Sequence, residues 1–416
     1  MIKNTITSAL IGKKLSYSLS QIIHAHYKNN NYALIETDNF FKIFEDNQFF
    51  ALSVTNPYKQ DAYNFCTIHD EIATNTGIVN TMLYKNNIWY GYNTDYYAFA
   101  KMLEAYKIDL SNKSVLIIGN GSTSKTIGYY LNKNNINYNV IARHPRNDNE
   151  ILLVKHYFDN TNVIIQTTSY GVFPNIENDT LLDYTKFNNL EMIIDVNYNP
   201  RRPYTANFAK YYNGLLMLVY NGLLFEELLQ GCPIKDDALA YSKYLDSQMA
   251  NIVLIGMPYS GKTTIGKILS NDLKKAFFDT DIILKSENND LVSCLNSGKD
   301  VAYFRVKESL LVKELSSTKF SSIISTGGGV ILNVENINYL KQNGIIIYLD
   351  ATTSTLKNRC NFEDRPLIKS INDIDKVYNE RKTLYEKYAD IIIDGNQPIN
   401  EVVKTIEVKL NEYFNN

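Results

Sequence analysis

Short apolar runs alternate with stretches whose apolar residues recur three and four apart, and this alternation sets the reading of the whole chain. The clearest example is Ile252-Val253-Leu254-Ile255, followed by the loop Gly256 to Thr263 (GMPYSGKT) and by Thr264-Ile265-Gly266-Lys267-Ile268-Leu269, which predicts strand, loop and helix in that order. Further strand-sized runs lie at 276–278, 322–325, 345–349 and 391–393, with helical patterns between them. Together with the strand before the loop they predict a five-stranded parallel α/β sheet. In the other half, Val115 to Ile118 runs into Gly119-Asn120-Gly121 and then a helix through Ile127 and Leu131, and Asn139 to Ala142 predicts the next strand. Residues 235–249 predict a helix that leads almost directly into the strand at 252, with no Gly, Ser or Pro-rich spacer.

At 416 residues the chain is too long for one ordinary core. About 150 residues per domain gives two or three. A 45% apolar and 21% charged composition is that of a globular protein, and a net charge of -2 gives no reason to expect nucleic acid or an anionic membrane as partner. Cys66, Cys232, Cys294 and Cys360 are far apart and show no metal spacing, which argues against disulfides and a zinc site. Residues 1–15 hold no long apolar stretch, so the expectation is a cytoplasmic enzyme acting on small molecules, with oligomeric state left open.

The loop at 256–263 is a phosphate cradle. Its glycines Gly256 and Gly261 let backbone N–H groups turn inward, Lys262 supplies a cation, and the Thr263 hydroxyl can bind Mg²⁺ at a helix start whose dipole favours negative charge. Asp279 and Asp281 follow the second strand of this half, spaced so that one can face Mg²⁺ and the other a substrate hydroxyl, and Gly327-Gly328-Gly329 follows the third. With FRVKE at 304–308, TGGG at 326–329, DRPLI at 364–368 and ERKTLYEKYAD at 380–390, these motifs resemble the shikimate kinase family over nearly all of 250–412. The resemblance implies that Gly256, Ser260, Gly261, Lys262, Thr263 and Thr264 hold ATP, that Thr263 and Asp279 hold Mg²⁺, and that Asp281 orients and deprotonates the substrate hydroxyl. It makes Arg365 a lid cation for the moving phosphoryl group and Arg359 the adenine-side arginine. Arg305 and Arg381 would bind the shikimate carboxylate, with Gly328 and Gly329 against the ring.

In the N-terminal half, Lys113 to Ser124 (KSVLIIGNGSTS) has the strand, turn and helix that place a pyrophosphate on a helix N-terminus, without the third glycine of GxGxxG. Alone it fits a dinucleotide site or an ordinary turn. The next strand ends in Arg143-His144-Pro145-Arg146 rather than an acidic residue, which points to NADP. SYSLSQIIHAHY at 16–27, SVTNPYKQ at 53–60, GIVNTM at 77–82, YNTDY at 92–96, TTSYGVFP at 167–174, DVNYNP at 195–200 and GLLMLVYNG at 214–222 resemble shikimate dehydrogenase in order and spacing. The resemblance implies Lys59 and Asp95 as the catalytic pair, Ser18 and Ser20 on the substrate carboxylate, and Thr55, Asn80 and Asn221 on ring hydroxyls. It places Gly119, Asn120, Gly121, Ser122, Thr123, Arg143 and Arg146 on NADP, with Tyr198 and Gly214 at the nicotinamide end. Tyr17, Gln21, Ser122 and Asn221 depart from the family pattern.

The expected architecture is a dehydrogenase substrate domain over 1–105, completed by 215–247, then a Rossmann NADP-binding domain over 106–214, then a P-loop kinase domain over 250–416. The expected function is bifunctional: NADPH-dependent reduction of 3-dehydroshikimate to shikimate, then ATP-dependent phosphorylation of shikimate at its 3-hydroxyl. The alternative is a working kinase whose dehydrogenase-like part only binds ligand or acts as a scaffold.

Overall fold

Three β-sheets organise the protein in a computed structural model that describes residues 4–145, 150–152, 160–173, 175–176, 180–287, 301–360 and 370–415. Arg146 and Arg365 lie outside the described residues. The chain divides into two compact units: Met1–Ser169 with Leu182–Tyr198 and Ala206–Ser242, and Tyr170–Leu181 with Asn199–Thr205 and Lys243–Asn416.

The first unit carries two sheets. One is built from β1 (Asn4–Gly12), β2 (Tyr32–Glu36), β3 (Asn47–Val54), β4 (Ile68–His69), β5 (Thr81–Lys85) and β6 (Ile88–Tyr92), in the order β2-β1-β3-β5-β6-β4. Here β1 runs parallel to β2 and β3, while β5 is antiparallel to both of its neighbours. The other holds β7 (Val115–Ile118), β8 (Tyr138–Ala142), β9 (Glu150–Leu152), β10 (Val163–Gln166), β11 (Met192–Asp195) and β12 (Lys210–Tyr212). Its order, β12-β11-β10-β7-β8-β9, is parallel throughout and reverses direction between β7 and β10. That reversal opens a crevice at the carboxyl end of β7, where the glycine turn lies.

The second unit carries β13 (Asn251–Ile255), β14 (Ala276–Asp279), β15 (Ser322–Ser325), β16 (Gly344–Asp350) and β17 (Ile391–Asp394), all parallel, in the order β14-β15-β13-β16-β17. The five apolar runs of the sequence are these five strands. The central strands β13, β15 and β16 read as continuous apolar runs because a parallel sheet is covered on both faces there, whereas Ile392 of the edge strand β17 is exposed. Val253 and Ile255 enter one core with Val312, Ile346 and Tyr348, while Ile252 and Leu254 enter another with Leu269, Ile347 and Ile406. The helix expected from residue 235 begins at Ala238 and runs to Met249, because the Asp236 carboxylate accepts the Ala238 N–H at 3.1 Å and so holds the chain outside the helix. No helix among the described residues is long and apolar enough to cross a membrane.

Candidate active sites

In the first unit, Lys59 opens the helix Lys59–Phe65 and Asp95 sits in the first turn of the helix Thr94–Ala105. Lys59 Nζ donates to Asp95 Oδ2 at 2.6 Å, and both side chains are under one-tenth exposed. The other oxygen, Oδ1, accepts from Asn80 Nδ2 and from Asn221 Nδ2, each at 3.0 Å. Thr94 links the two asparagines, its N–H donating to Asn80 Oδ1 at 2.7 Å and its hydroxyl to Asn221 Oδ1 at 2.9 Å. A buried ion pair is tolerable when the remaining lone pairs are filled, and these donors fill them. Asn221, expected on a ring hydroxyl, is engaged by Asp95 and Thr94.

Ser18 and Ser20 lie together, the Ser18 hydroxyl donating to Ser20 Oγ at 3.0 Å and accepting from the Ser20 N–H at 3.2 Å. Ser20 starts the helix Ser20–His26, and Thr55 packs its methyl into the space left by Gly12. That helix is pinned from below: His24 Nδ1 meets Glu226 Oε1 at 2.7 Å, Asn29 donates to the same oxygen at 2.8 Å, and the His24 ring stacks on Tyr32 at 3.5 Å. Burial pushes the His24 pKa down, against the pull of Glu226.

At the β7 crevice the helix Ser122–Lys133 begins directly after Gly121, with Ser122 and Thr123 in its first turn. Among the described residues a Cβ at Gly121 would meet nothing within 4 Å, so no side chain packs over the turn at that glycine, and the N–H groups of the helix start offer an anion site. Asn120 Nδ2 donates to the His144 carbonyl at 3.2 Å and to Glu150 Oε2 at 2.9 Å, and Arg143 is exposed beyond the end of β8. The loop after β11 is built on Asp195, whose carboxylate accepts from the Asn197 N–H at 2.9 Å, Asn197 Nδ2 at 2.8 Å and the Tyr211 hydroxyl at 3.2 Å. Gly214 closes on this loop so tightly that a Cβ there would lie 2.1 Å from the Val196 carbonyl oxygen. Tyr198, half-buried in the same loop, reaches the Tyr17 carbonyl at 3.5 Å.

Burial pushes the Asp195 carboxyl up to about 7, from 3.8, and the three hydrogen bonds oppose only part of the shift. Between those values the folded chain binds more protons than the unfolded one. The stability contributed by this group is therefore present below 3.8 and lost as pH rises through about 7. Asp195→Asn is expected to flatten this fall in the thermal midpoint of the first unit; a slope identical to the unvaried chain would contradict it.

In the second unit, Lys262 Nζ donates to the carbonyls of Gly256 and Met257, both at 2.9 Å, and is 4% exposed. The Thr263 hydroxyl donates to Asp279 Oδ2 at 2.6 Å, while Asp279 Oδ1 accepts the N–H groups of Asp281 and Ile282 at 3.0 and 3.1 Å. Ser260 is fully buried inside the loop and its hydroxyl makes no hydrogen bond among the described residues, which fits a cradle for an anion. Beside the loop lies a cavity of about 460 Å³ whose walls include Tyr259, Thr264, Arg359, Gly395 and Gln397. Arg359 donates to the Gly395 carbonyl at 3.0 Å.

Across β13 from that cavity, the glycines after β15 make room for charge. A Cβ at Gly327 would fall 2.6 Å from Asp281 Oδ1 and 2.8 Å from Glu308 Oε1, and one at Gly329 would fall 2.1 to 2.4 Å from the Arg305 guanidinium. Arg381 and the Tyr385 hydroxyl both donate to the Gly328 carbonyl, at 3.0 and 2.5 Å. Glu308 Oε2 accepts from Arg305 at 2.6 Å, but Oε1 makes no hydrogen bond among the described residues although the side chain is 1% exposed. Burial pushes the Glu308 pKa up, Arg305 opposes this, and Asp281 adds to it.

The structure thus gathers Lys59, Asp95, Asn80 and Asn221 in one place, and Asp281, Arg305, Arg381 and the triple glycine in another. Sequence reasoning missed Glu308, although FRVKE contains it, as well as Tyr385 and the Gly395-Asn396-Gln397 turn after β17. The glycine and proline around that turn were the available signal. Glu226 lies 202 residues from His24, and no local pattern announces the pair.

Residues 258–411 match the family model described as shikimate kinase, and residues 10–82 match that of the shikimate dehydrogenase substrate binding domain. A shikimate dehydrogenase (NADP(+)) of Clostridium beijerinckii is 32% identical over 259 residues, which is 56% of this chain and 95% of the relative. A shikimate kinase of Aquifex aeolicus is 37% identical over 161 residues, 38% of this chain and 95% of the relative. The crystal structure of shikimate dehydrogenase 1 from Peptoclostridium difficile aligns with a TM-score of 0.52 and 26% identity, over 58% of this chain and 97% of that one.

Proposed function

We infer function from one premise: the chain belongs to the shikimate dehydrogenase family through its N-terminal part and to the shikimate kinase family through its C-terminal part. It is a bifunctional enzyme that reduces 3-dehydroshikimate to shikimate and then phosphorylates shikimate to shikimate 3-phosphate. The product of the first site is the substrate of the second. NADPH supplies the hydride for the first reaction, and ATP with Mg²⁺ supplies the phosphoryl group for the second.

At the reductive site, Lys59 places a cation and a proton where the ketone oxygen becomes an alkoxide. Asp95 fixes the amine through Oδ2, while Asn80 and Asn221 fix Asp95 through Oδ1. Ser18 and Ser20 would bind the substrate carboxylate, and Thr55 a ring hydroxyl. The open turn at Gly121 to Thr123 would hold the pyrophosphate of NADP(H), with Arg143 and Arg146 for the 2′-phosphate and Gly214 and Tyr198 at the nicotinamide end. The observation that carries this reading is the buried Lys59–Asp95 pair with its second oxygen saturated. A module that only bound ligand would not require a desolvated cation held so firmly.

At the phosphoryl-transfer site, Asp281 would take the proton of the 3-hydroxyl, and Arg305 and Arg381 would bind the carboxylate of shikimate across Gly328 and Gly329. Glu308 holds Arg305 in place. The residues present also fit the nucleotide and its metal. The loop carries a buried cation and a Ser260 hydroxyl that has no partner among the described residues, and the Thr263–Asp279 pair offers two oxygens to Mg²⁺. Arg359 and the turn at Gly395 would hold the base, and Arg365 would cover the transferring group. We assign 1–105 with 215–247 to the substrate domain of the dehydrogenase, 106–214 to its NADP domain and 250–416 to the kinase, each around one of the three sheets.

The direct test assays one purified chain twice, for NADPH oxidation with 3-dehydroshikimate and for ADP release with shikimate. Both activities are expected; phosphorylation without any NADPH oxidation would leave the first unit a binding module. Gly329→Ala places a methyl where the Arg305 guanidinium lies, so the KM for shikimate in the kinase assay should rise about tenfold or more, with the reductase unaffected. An unchanged KM would remove Arg305 from the shikimate site.

A further inference from the structure

Tyr259 stands inside the phosphate loop with φ at +67°, in the left-handed region that bulky side chains rarely enter. The loop has positive φ at Gly256 (+147°), Tyr259 and Gly261 (+94°). Two of these positions carry the residue that adopts such backbone freely, and the third carries a tyrosine. Strain of this kind persists where the surroundings enforce it, most often at ligand clamps. The side chain is half-buried. It packs against the core that contains Met257 and Tyr348, and it lines the 460 Å³ cavity together with Lys262, Thr263, Arg359 and Gln397.

The two neighbours in the loop face different sites. Pro258 lies against Gly328, where a Cβ would meet its ring at 2.9 Å, so it borders the region gathered around the triple glycine. Tyr259 borders the cavity of the phosphate-loop lysine, and Arg305, Glu308 and Arg381 are not among the residues lining that cavity. An aromatic face beside a cation-lined phosphate cradle suits a ribose or base, which gives apolar contact to the ring.

We propose that Tyr259 is a nucleotide-contacting residue: its ring forms a wall of the ATP site, and the loop holds a strained backbone to keep it there. The inference rests on the kinase reading of the second unit and adds to it a side chain from the one strained non-glycine position of the loop. Its consequence is a separation of nucleotide affinity from shikimate affinity. Replacing Tyr259 by glycine relieves the backbone but removes the wall.

MgADP binding to the intact chain, measured by titration calorimetry without shikimate, tests this. Tyr259→Gly is expected to weaken MgADP by about tenfold and to leave the KM for shikimate within about twofold. Tyr259→Asn, which accepts left-handed backbone, should show the same loss of affinity and covers the case in which the glycine variant does not fold. Tyr259→Phe keeps the ring and should bind like the unvaried chain. MgADP affinity unchanged or increased in Tyr259→Gly and Tyr259→Asn would overturn the proposal, as would a loss in Tyr259→Phe equal to that in Tyr259→Gly. If the unvaried chain failed to bind MgADP, the kinase reading itself would fall, which is a distinguishable result.

Discussion

Lys59→Met is expected to lower the rate of NADPH-dependent reduction by about a thousandfold while leaving shikimate phosphorylation unchanged. Methionine keeps much of the aliphatic stem and removes the cation, so the loss reads the charge and proton rather than the packing. The same change leaves the Asp95 carboxylate buried with two amide donors and no counter-charge, which costs about 3 to 5 kcal/mol when a buried pair is broken. The first unit should therefore melt earlier, and the rate must be read below its new midpoint. Asp95→Asn is the complementary change: it keeps the Lys59 cation but removes its counter-charge, and the asparagine presents either an N–H₂ to the Lys59 amine or a donor to the Asn80 and Asn221 amides. In each case Lys59 or the supporting pair loses alignment, and the buried charge left without a partner is the Lys59 ammonium rather than the Asp95 carboxylate. Steady-state rates and melting curves on the three chains give the comparison. A Lys59→Met variant that keeps more than about a tenth of the reductase rate would remove Lys59 from the chemistry.

The complementary result is that Lys262→Ala abolishes phosphorylation, by about a thousandfold or more, and leaves the reductase intact. Without nucleotide the Lys262 amine is satisfied by two carbonyls of its own loop, those of Gly256 and Met257. The loop is thus already curled around a cation, and a phosphate entering it can take over a charge that is in place. Alanine removes that charge and leaves two buried carbonyls without this donor, so the cradle loses both its electrostatic pull and its shape. ADP release with shikimate measures the first effect, and MgADP affinity the second. Substantial phosphorylation by Lys262→Ala, or a matching fall in NADPH oxidation, would contradict two separate sites with separate machinery.

How much of this was legible in the sequence depended on how local the signal was. The central strands of the second unit, β13, β15 and β16, were visible because they are buried on both faces and so read as nearly unbroken apolar runs, and the edge strands β14 and β17 were visible as short apolar runs between helical patterns. The phosphate loop was visible because strand, turn and helix are contiguous. The antiparallel β5 in the first sheet carried no comparable sign. It is a short strand whose partners β3 and β6 are set by tertiary pairing. The carboxylate network shows the same limit: Asn80 and Asn221 reach Asp95 from 15 and 126 residues away, so only likeness to a family could place them together. Glu308 lay in a quoted motif, yet its importance comes from a buried oxygen that faces Gly327 and has no hydrogen bond among the described residues, which no motif conveys. Tyr259 occupied a variable position of the loop pattern, and its backbone angle is a property of the folded chain alone.

The claim that ties these observations together is that one polypeptide performs two consecutive reactions. Supplying the intact chain with 3-dehydroshikimate, NADPH and MgATP, and following all products by mass spectrometry, tests it most directly. The account predicts that shikimate 3-phosphate accumulates, with one NADPH oxidised and one ADP formed for each molecule made. Phosphorylation of added shikimate, with no NADPH oxidised and no shikimate 3-phosphate formed from 3-dehydroshikimate, would contradict it.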